Sequence, residues 1–589
     1  MCGIAGLVAK DGSPPANAVL DSFARALAHR GPDGEGRYRF AATAMVQTRL
    51  AIIDLETGDQ PLGGGGGPAL IANGEIYNYL ELTAAVDATA LLTRSDCELP
   101  LHLYRRDGVG FAADLRGMYA IAIHDPAADR LLLARDPFGI KPLYYVETPD
   151  CFAFASEPQA LIAAGLASRR LSPAVRGELL QLQFTTGRET IFADIKRVLP
   201  GETLTVSGAR VVDRRRLAAL PEGAPRSDSV ESSIARLDGA LEDSIRIHQR
   251  SDVPYGMFLS GGIDSTTLLA VMARLNDRPV RAYTAGFAAS GVPDERSHAR
   301  LMAQRLGAEH VELMIEEADF WRALPEIAEA VDDPCADYAV VPSYLLAELA
   351  AREVKVILCG EGGDELFGGY GRYRSALRPW WRGGRRMRRR GTFERLGVLR
   401  EESPGWRDGV VGSESTATGA GRSRLQIAQA TDCADWLAND LLIKLDRCLM
   451  AHGVEGRTPF LDPAVADAAF LLADGLKIRD GRGKWLLRRW LADRVPDSGA
   501  FQPKRGFTVP AAEWIRGQGA RLGPLVAAQP GIDEICRPGA VAELFTARDK
   551  RSGFAAWVLL FYALWHRRHM LGLTPDGDTF ETLAASPRP

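Results

Sequence analysis

The stretch Val253-Pro254-Tyr255-Gly256-Met257-Phe258-Leu259-Ser260-Gly261-Gly262-Ile263-Asp264-Ser265 decides how the second half of this chain folds. Its apolar opening, 253–259, has the composition of a strand, and 265–275 has the spacing of a helix. A strand that turns through Gly-Gly into a helix presents backbone N–H groups and a positive dipole end to an anion. The turn has no lysine, and no Gly-x-x-x-x-Gly-Lys-Ser/Thr occurs in the chain. That argues against transfer of a γ-phosphate of the kinase or GTPase kind.

Outward from this turn the alternation continues. Strands are predicted over 280–287, 311–315 and 354–358, and helices over 295–306 and 341–353, the pattern of a parallel doubly wound α/β sheet. Beyond about residue 430 the pattern is mostly helical. A second glycine-rich acidic loop, Cys359-Gly360-Glu361-Gly362-Gly363-Asp364, follows the last of these strands. Asp264 and Asp364 suit Mg2+, which takes oxygen ligands from one or two carboxylates plus phosphates. Lys504, between Pro503 and Arg505-Gly506-Phe507, is expected to be a cation on a rigid loop, suited to neutralise developing negative charge. The segment Asp332-Asp333-Pro334-Cys335-Ala336-Asp337-Tyr338 is expected beside Glu361.

Toward the N-terminus the pattern changes. Short strand-like runs over 4–8, 42–48, 69–72, 119–124, 130–134, 143–146 and 151–155 are separated by Gly, Pro, Asp and Asn, with helical patterns over 18–29 and 79–86. This predicts an α+β domain with sizeable antiparallel sheets. A hairpin over 201–210 closes it, and a polar, proline-containing stretch follows. The chain thus divides into residues 2–215, a linker over 216–228, and residues 229–575.

At 589 residues the chain is too long for one core, and 46% hydrophobic with 25% charged residues is a globular composition. The net charge of -4 does not favour a general nucleic-acid or membrane-surface binder. Eight cysteines with no C-x-x-C pair, and no charged-then-apolar leader, lead us to expect the reducing cytoplasm. The apolar run 554–565 is shorter than the ~20 residues of a bilayer crossing and reads as a buried helix. The basic run 382–390 reads as solvated surface.

Cys2 stands directly after the initiator. Removing Met1 would expose a thiol and an α-amine on one residue. The amine, with an ordinary pKa of roughly 7.7 to 8.0, can take the thiol proton without a histidine. A thiolate attacking an amide creates an oxyanion, which the Asn73 side-chain amide and the Gly74 N–H are suited to hold. Arg49 suits an α-carboxylate, and Glu75 and Asp96 an α-ammonium.

Cys2-Gly3-Ile4, His29-Arg30-Gly31-Pro32-Asp33, Asn73-Gly74-Glu75-Ile76-Tyr77-Asn78 and the block 135–145 together resemble the glutaminase domain of class II, N-terminal-nucleophile (Ntn) amidotransferases. The resemblance implies that Cys2 hydrolyses glutamine to glutamate and ammonia through a thioester. It implies glutamine contacts from Arg49, Leu50, Ala51, Ile52, Ile53, Asn73, Gly74, Glu75 and Asp96. The block 135–145 itself is read as a strand and tight turn without chemistry.

Ser260 to Ser265 resembles the pyrophosphate loop (PP-loop) of ATP pyrophosphatases. The order of that loop, the block 359–370, the block 446–462 and Lys504 resembles glutamine-hydrolysing asparagine synthetases over roughly residues 2–570. This implies ATP contacts from Leu259, Ser260, Gly261, Gly262, Asp264, Ser265, Ala285, Cys359 and Gly360. It also implies Mg2+ on Asp264 and Asp364, Glu361 near the acceptor carboxyl, and Lys504 near the phosphates. The implied enzyme is a ligase: glutamine, aspartate and ATP are its small-molecule substrates, an acyl-adenylate its intermediate, and asparagine, AMP, pyrophosphate and glutamate its products. No nucleic-acid or membrane partner is implied, and a homodimer is compatible with the resemblance.

The sequence departs from the family at Cys359 and Gly363, where many members have Ser, at Cys97 for Thr, and at Gly456 and Thr458 for Ala and Val. Relatives that amidate peptide or cell-wall carboxylates share the architecture, which leaves the acceptor open. A PP-loop tRNA-modifying enzyme is the rival from another class. The glutaminase half and the lack of paired cysteines stand against it.

Overall fold

The computed structural model describes residues 2–585 except 85, 87–90, 289–294, 383–385, 420 and 503–508. In the first half two six-stranded sheets, antiparallel throughout, pack face to face. One runs Lys196–Arg197, Tyr144–Glu147, Cys151–Ala155, Gly3–Ala9, Thr43–Arg49, Gly34–Phe40. The other runs Arg210–Arg216, Glu202–Ser207, Arg130–Arg135, Gly117–Asp125, Ala69–Ile76, Leu62–Gly63.

Side chains alternate between faces with period two. Ile4, Met45, Ile71, Ala120, Leu133 and Phe154 fill the space between the sheets. Leu70, Ala72, Ile121 and Leu132 face outward onto the helix Leu99–Asp107. The helix Asn17–Leu27 covers the other outer face through Leu20, Phe23 and Leu27. Burial on both faces explains why these strands read as unbroken apolar runs.

The second half holds a five-stranded parallel sheet in the order Glu309–Ile315, Arg281–Phe287, Tyr255–Phe258, Val356–Leu358, Glu455–Arg457. Tyr255–Phe258 has the next strand in sequence on one side and Val356–Leu358 on the other. The order reverses there, and the crevice at the carboxyl ends of those two strands is where such sheets bind ligands. The helix Lys550–His569 carries the apolar run 554–565, buried from Ala555 to Trp565. Its Trp557 and Trp565 indoles donate to the carbonyls of Ala336 (2.8 Å) and Asp332 (3.1 Å). Among the described residues no helix is long and apolar enough to cross a membrane.

Three features escaped the sequence pattern. Gly34–Phe40 is an edge strand with little burial, and so has no apolar signal. Glu455–Arg457 is a buried strand of only three residues, two of them charged. The basic run is not wholly solvated: Met387 is buried, and the Arg388 guanidinium lies over the rings of Phe184 (4.6 Å) and Trp436 (4.2 Å). Arg386, Arg389 and Arg390 are exposed as expected.

Candidate active sites

Cys2 precedes the strand Gly3–Ala9 and is buried. Its backbone N–H donates to Asn73 Oδ1 (3.1 Å), and its carbonyl accepts from Arg30 Nε (3.2 Å). Asn73, Gly74 and Glu75 lie on the strand Ala69–Ile76, held in register against Ala120, Tyr119 and Met118. With Oδ1 committed to Cys2, Asn73 Nδ2 is a buried donor without a hydrogen-bond partner among the described residues. A spare donor beside a thiol is what a forming oxyanion requires.

Burial pushes the Cys2 thiol up; the positive chain terminus and the Leu50 N–H oppose it. Arg49 ends the strand Thr43–Arg49 and pairs with Asp59 (2.7 Å) and the Asp54 carbonyl. Burial raises Asp96 to about 6 although it accepts the Ile76 N–H (2.7 Å). Burial, then Asp96 and Glu455, push Glu75 well above the carboxylate range. Two buried acids whose charge is disfavoured form a receptor for an ammonium. Between these groups the segment 50–53 is fixed from both halves of the molecule. The Ala51 N–H donates to Asp33, which also holds Lys355 (2.8 Å each), and the Ile52 carbonyl accepts the Asp252 N–H (3.0 Å).

The second centre is a cavity of about 460 Å³ at the crevice of the parallel sheet. It is lined by Leu259, Ser260, Gly261, Gly262, Asp264, Ser265, Ala285, Cys359, Gly360, Glu361 and Asp364. All the nucleotide-site residues singled out in the sequence, Lys504 apart, therefore meet in one place; Lys504 lies outside the described residues. Gly261 turns with φ +67°, which only glycine adopts without strain. Ser265 Oγ then accepts the Ser260 N–H (3.2 Å) and closes the loop onto the helix Ile263–Leu275.

Two lysines of this cavity were not foreseen. Lys484 Nζ bridges Asp264 and Asp364, the latter at 2.7 Å. Burial opposes its charge, but the two carboxylates outweigh burial and hold it protonated. The bridge depends on Gly369, where any Cβ would stand 1.8 Å from Asp364 Oδ1 and 2.3 Å from Lys484 Cε. Lys444 Nζ lies 2.9 Å from Asp337 and 3.8 Å from Glu361. The available signals were a lysine in a glycine-punctuated turn, Gly481-Arg482-Gly483-Lys484, and a lone charge inside the apolar Leu442-Ile443-Lys444-Leu445. Of the segment 332–338, Asp337 alone contacts a cavity group. Asp332 and Asp333 are locked in buried ion pairs with Arg447 (2.8 Å) and Arg197 (2.7 Å).

Arg457 touches both centres. Its Nη2 is 3.4 Å from Glu75, its Nη1 donates to the carbonyls of His248 (2.9 Å) and Arg250 (2.6 Å), and its own carbonyl accepts the Cys359 N–H (2.8 Å). Arg30, fully buried, makes the matching contact from the other side, to Asp446 (2.8 and 3.0 Å) and Glu157 (2.7 Å). In the block 135–145, Arg135 spends its donors on the carbonyls of Gly139, Lys141 and Val198. Lys141 and Tyr144 reach across, Lys141 Nζ to the Gly456 carbonyl (3.5 Å) and the Tyr144 hydroxyl donating to Asp333 (2.8 Å).

A family model described as asparagine synthase matches residues 236–567, and one described as a glutamine amidotransferase domain matches residues 1–216. Glutamine-hydrolyzing asparagine synthetase 1 of Bacillus subtilis (strain 168) is 31% identical over 613 aligned positions, covering 96% of this chain and 96% of the relative. Glutamine-hydrolyzing asparagine synthetase B of Escherichia coli (strain K12) is 29% identical over 510 positions, covering 82% of this chain and 78% of the relative.

Proposed function

This chain belongs to the asparagine synthase family, and from that premise we propose that it converts aspartate to asparagine. Glutamine supplies the nitrogen and ATP the activation, and glutamate, AMP and pyrophosphate are released. The observation that carries the coupling of two centres is Arg457, whose side chain meets Glu75 at the first centre while its carbonyl holds Cys359 at the second.

At the first centre the α-amine of Cys2, freed of Met1, takes the thiol proton. The thiolate adds to the glutamine amide, and Asn73 Nδ2 with the Gly74 N–H holds the oxyanion. Ammonia leaves with a proton returned from the amine, and water cleaves the thioester to glutamate. Arg49 takes the α-carboxylate, Glu75 and Asp96 the α-ammonium, and Leu50, Ala51, Ile52 and Ile53 wall the site.

At the second centre a carboxylate oxygen of aspartate attacks the α-phosphorus of ATP and pyrophosphate leaves. The loop Ser260, Gly261, Gly262 and Ser265 cradles the phosphates, Leu259 and Ala285 flank the nucleoside, and Cys359 and Gly360 close on it. Lys484 and Lys504 neutralise the leaving charge. Glu361, whose carboxyl burial pushes up, takes a proton from ammonia as the amide forms and AMP departs. Asp264 and Asp364 converge on one point, now held by the Lys484 ammonium, and two hard carboxylates with phosphate oxygens suit Mg2+. When bound, Mg2+ would supply further neutralisation of phosphate charge.

The test is pyrophosphate release with ATP, Mg2+ and ammonium across a set of carboxylates. L-aspartate is expected to stimulate most, with asparagine detected by mass spectrometry. Stimulation by another carboxylate with aspartate silent overturns the acceptor, and stimulation by transfer RNA alone overturns the reading as a whole.

A further inference from the structure

Resting on the reading of the second centre as the site of aspartate activation, we infer that Lys444 and Asp337 form the subsite for the acceptor's α-carboxylate and α-ammonium. They thereby select an α-amino acid. Lys444 sits on the helix Leu442–Met450 among the buried Leu442, Ile443 and Leu445, with 5% of its side chain exposed, and lines the nucleotide cavity. A lysine there is costly unless paired. Its partners are Asp337 at 2.9 Å and Glu361 at 3.8 Å. The phosphate end of the cavity already has its own cation, Lys484, and its own N–H loop. Lys444 answers a different charge.

One cation flanked by two carboxylates is the complement of an amino-acid head group: the substrate carboxylate goes to Lys444 and its ammonium to the acid. Asp440, earlier on the same chain and fully buried, adds to the acidic surroundings that Lys444 feels. Its Oδ1 has no hydrogen-bond partner among the described residues. Asp337 is aimed rather than mobile. Its Oδ1 accepts the Ala339 N–H (3.0 Å), and the Ala336 N–H donates to the Gln183 carbonyl (2.7 Å). The Trp557 indole and the Arg197–Asp333 and Arg447–Asp332 pairs hold the rest of the segment. Its second oxygen is thus placed by the fold beside Lys444. Ala339, Pro342 and Ser343, which follow Asp337 in the chain, line the cavity, and Asp337 reaches that lining through Lys444.

Two truncated acceptors separate the two contacts: β-alanine is aspartate without the α-carboxylate, and succinate is aspartate without the ammonium. With ammonium as nitrogen source, the full-length enzyme should favour aspartate over both. Lys444→Met should lower kcat/KM for aspartate by about 10²-fold and leave β-alanine within about threefold, because a site built to bind a polar group rejects ligands that lack it. Asp337→Asn should do the same for aspartate against succinate. KM for ATP should stay within about threefold in both variants, and undiminished glutaminase activity reports an intact fold. Equal losses for aspartate and its truncated analogue would make Lys444 and Asp337 structural and overturn the subsite while leaving the acceptor standing. Stimulation of the parent enzyme by another carboxylate and not by aspartate would overturn the acceptor and the subsite together.

Discussion

The two centres solve the problem of buried charge in opposite ways. Around Cys2 the functional groups stand on the strand Ala69–Ile76 or, for Asp96, on a short turn tied to that strand through the Ile76 N–H, and they are left short of what a substrate brings: Asn73 Nδ2 lacks an acceptor among the described residues, and Glu75 and Asp96 are acids that burial keeps from charging freely. Around Lys484 the charges are instead compensated internally, among the described residues two carboxylates to one ammonium, the acids standing in the first turns of the helices Ile263–Leu275 and Gly363–Phe367 beyond three- and four-residue strands. The first site is ready for one ligand and loses little on binding it. The second must trade ion pairs for phosphates and a carboxylate, which makes its occupancy conditional on the right charges arriving together.

Separating the centres is the most drastic way to break this comparison. Cys2→Ala should lower glutamine-dependent synthesis by roughly 10⁴-fold or more, the scale of losing a covalent nucleophile. It should leave ammonium-dependent synthesis within about twofold. Asparagine formation measured with each nitrogen donor decides it; loss of both in a folded protein would mean that the centres are one.

Lys484→Met attacks the other side. Removing preorganised charge from a transferring phosphate typically costs about 10² to 10³ in rate, so pyrophosphate release should fall by that factor with either nitrogen source while glutamine hydrolysis persists. A larger loss in Lys504→Ala than in Lys484→Met would return the leading role to Lys504.

What the sequence made legible follows the same divide. Groups carried on contiguous motifs, such as Cys2-Gly3-Ile4, Asn73-Gly74-Glu75 and Ser260 to Ser265, could be read because local backbone fixes their neighbours. The doubly wound order could be read because period and turn residues are local too. Lys484, Lys444 and Arg457 could not, since each is a single charge whose meaning comes from partners between about 80 and 380 residues away. Arg388 misled for the same reason: a basic run reads as solvated until Phe184 and Trp436 close over one of its members.

Asp96 gives the smallest effect and a definite sign. Burial raises its carboxyl to about 6, from an ordinary value of about 3.9. Between those values the unfolded chain has shed a proton that the folded protein keeps. Stability therefore falls as pH rises through that window, and the penalty of roughly 2 to 3 kcal/mol at most persists above it. Asp96→Asn removes the penalty: Tm should rise by about 2 to 4 °C at pH 7.5 and stay unchanged near pH 3, where both forms are neutral. Function should move the other way, because an ammonium needs the carboxylate. In the parent enzyme kcat/KM for glutamine should fall as pH drops through about 6, and Asp96→Asn should flatten that limb while raising KM about tenfold. A variant that gains no stability at pH 7.5 and keeps the acidic limb would place the charge on Glu75 alone, leaving the first centre with one strained acid instead of two.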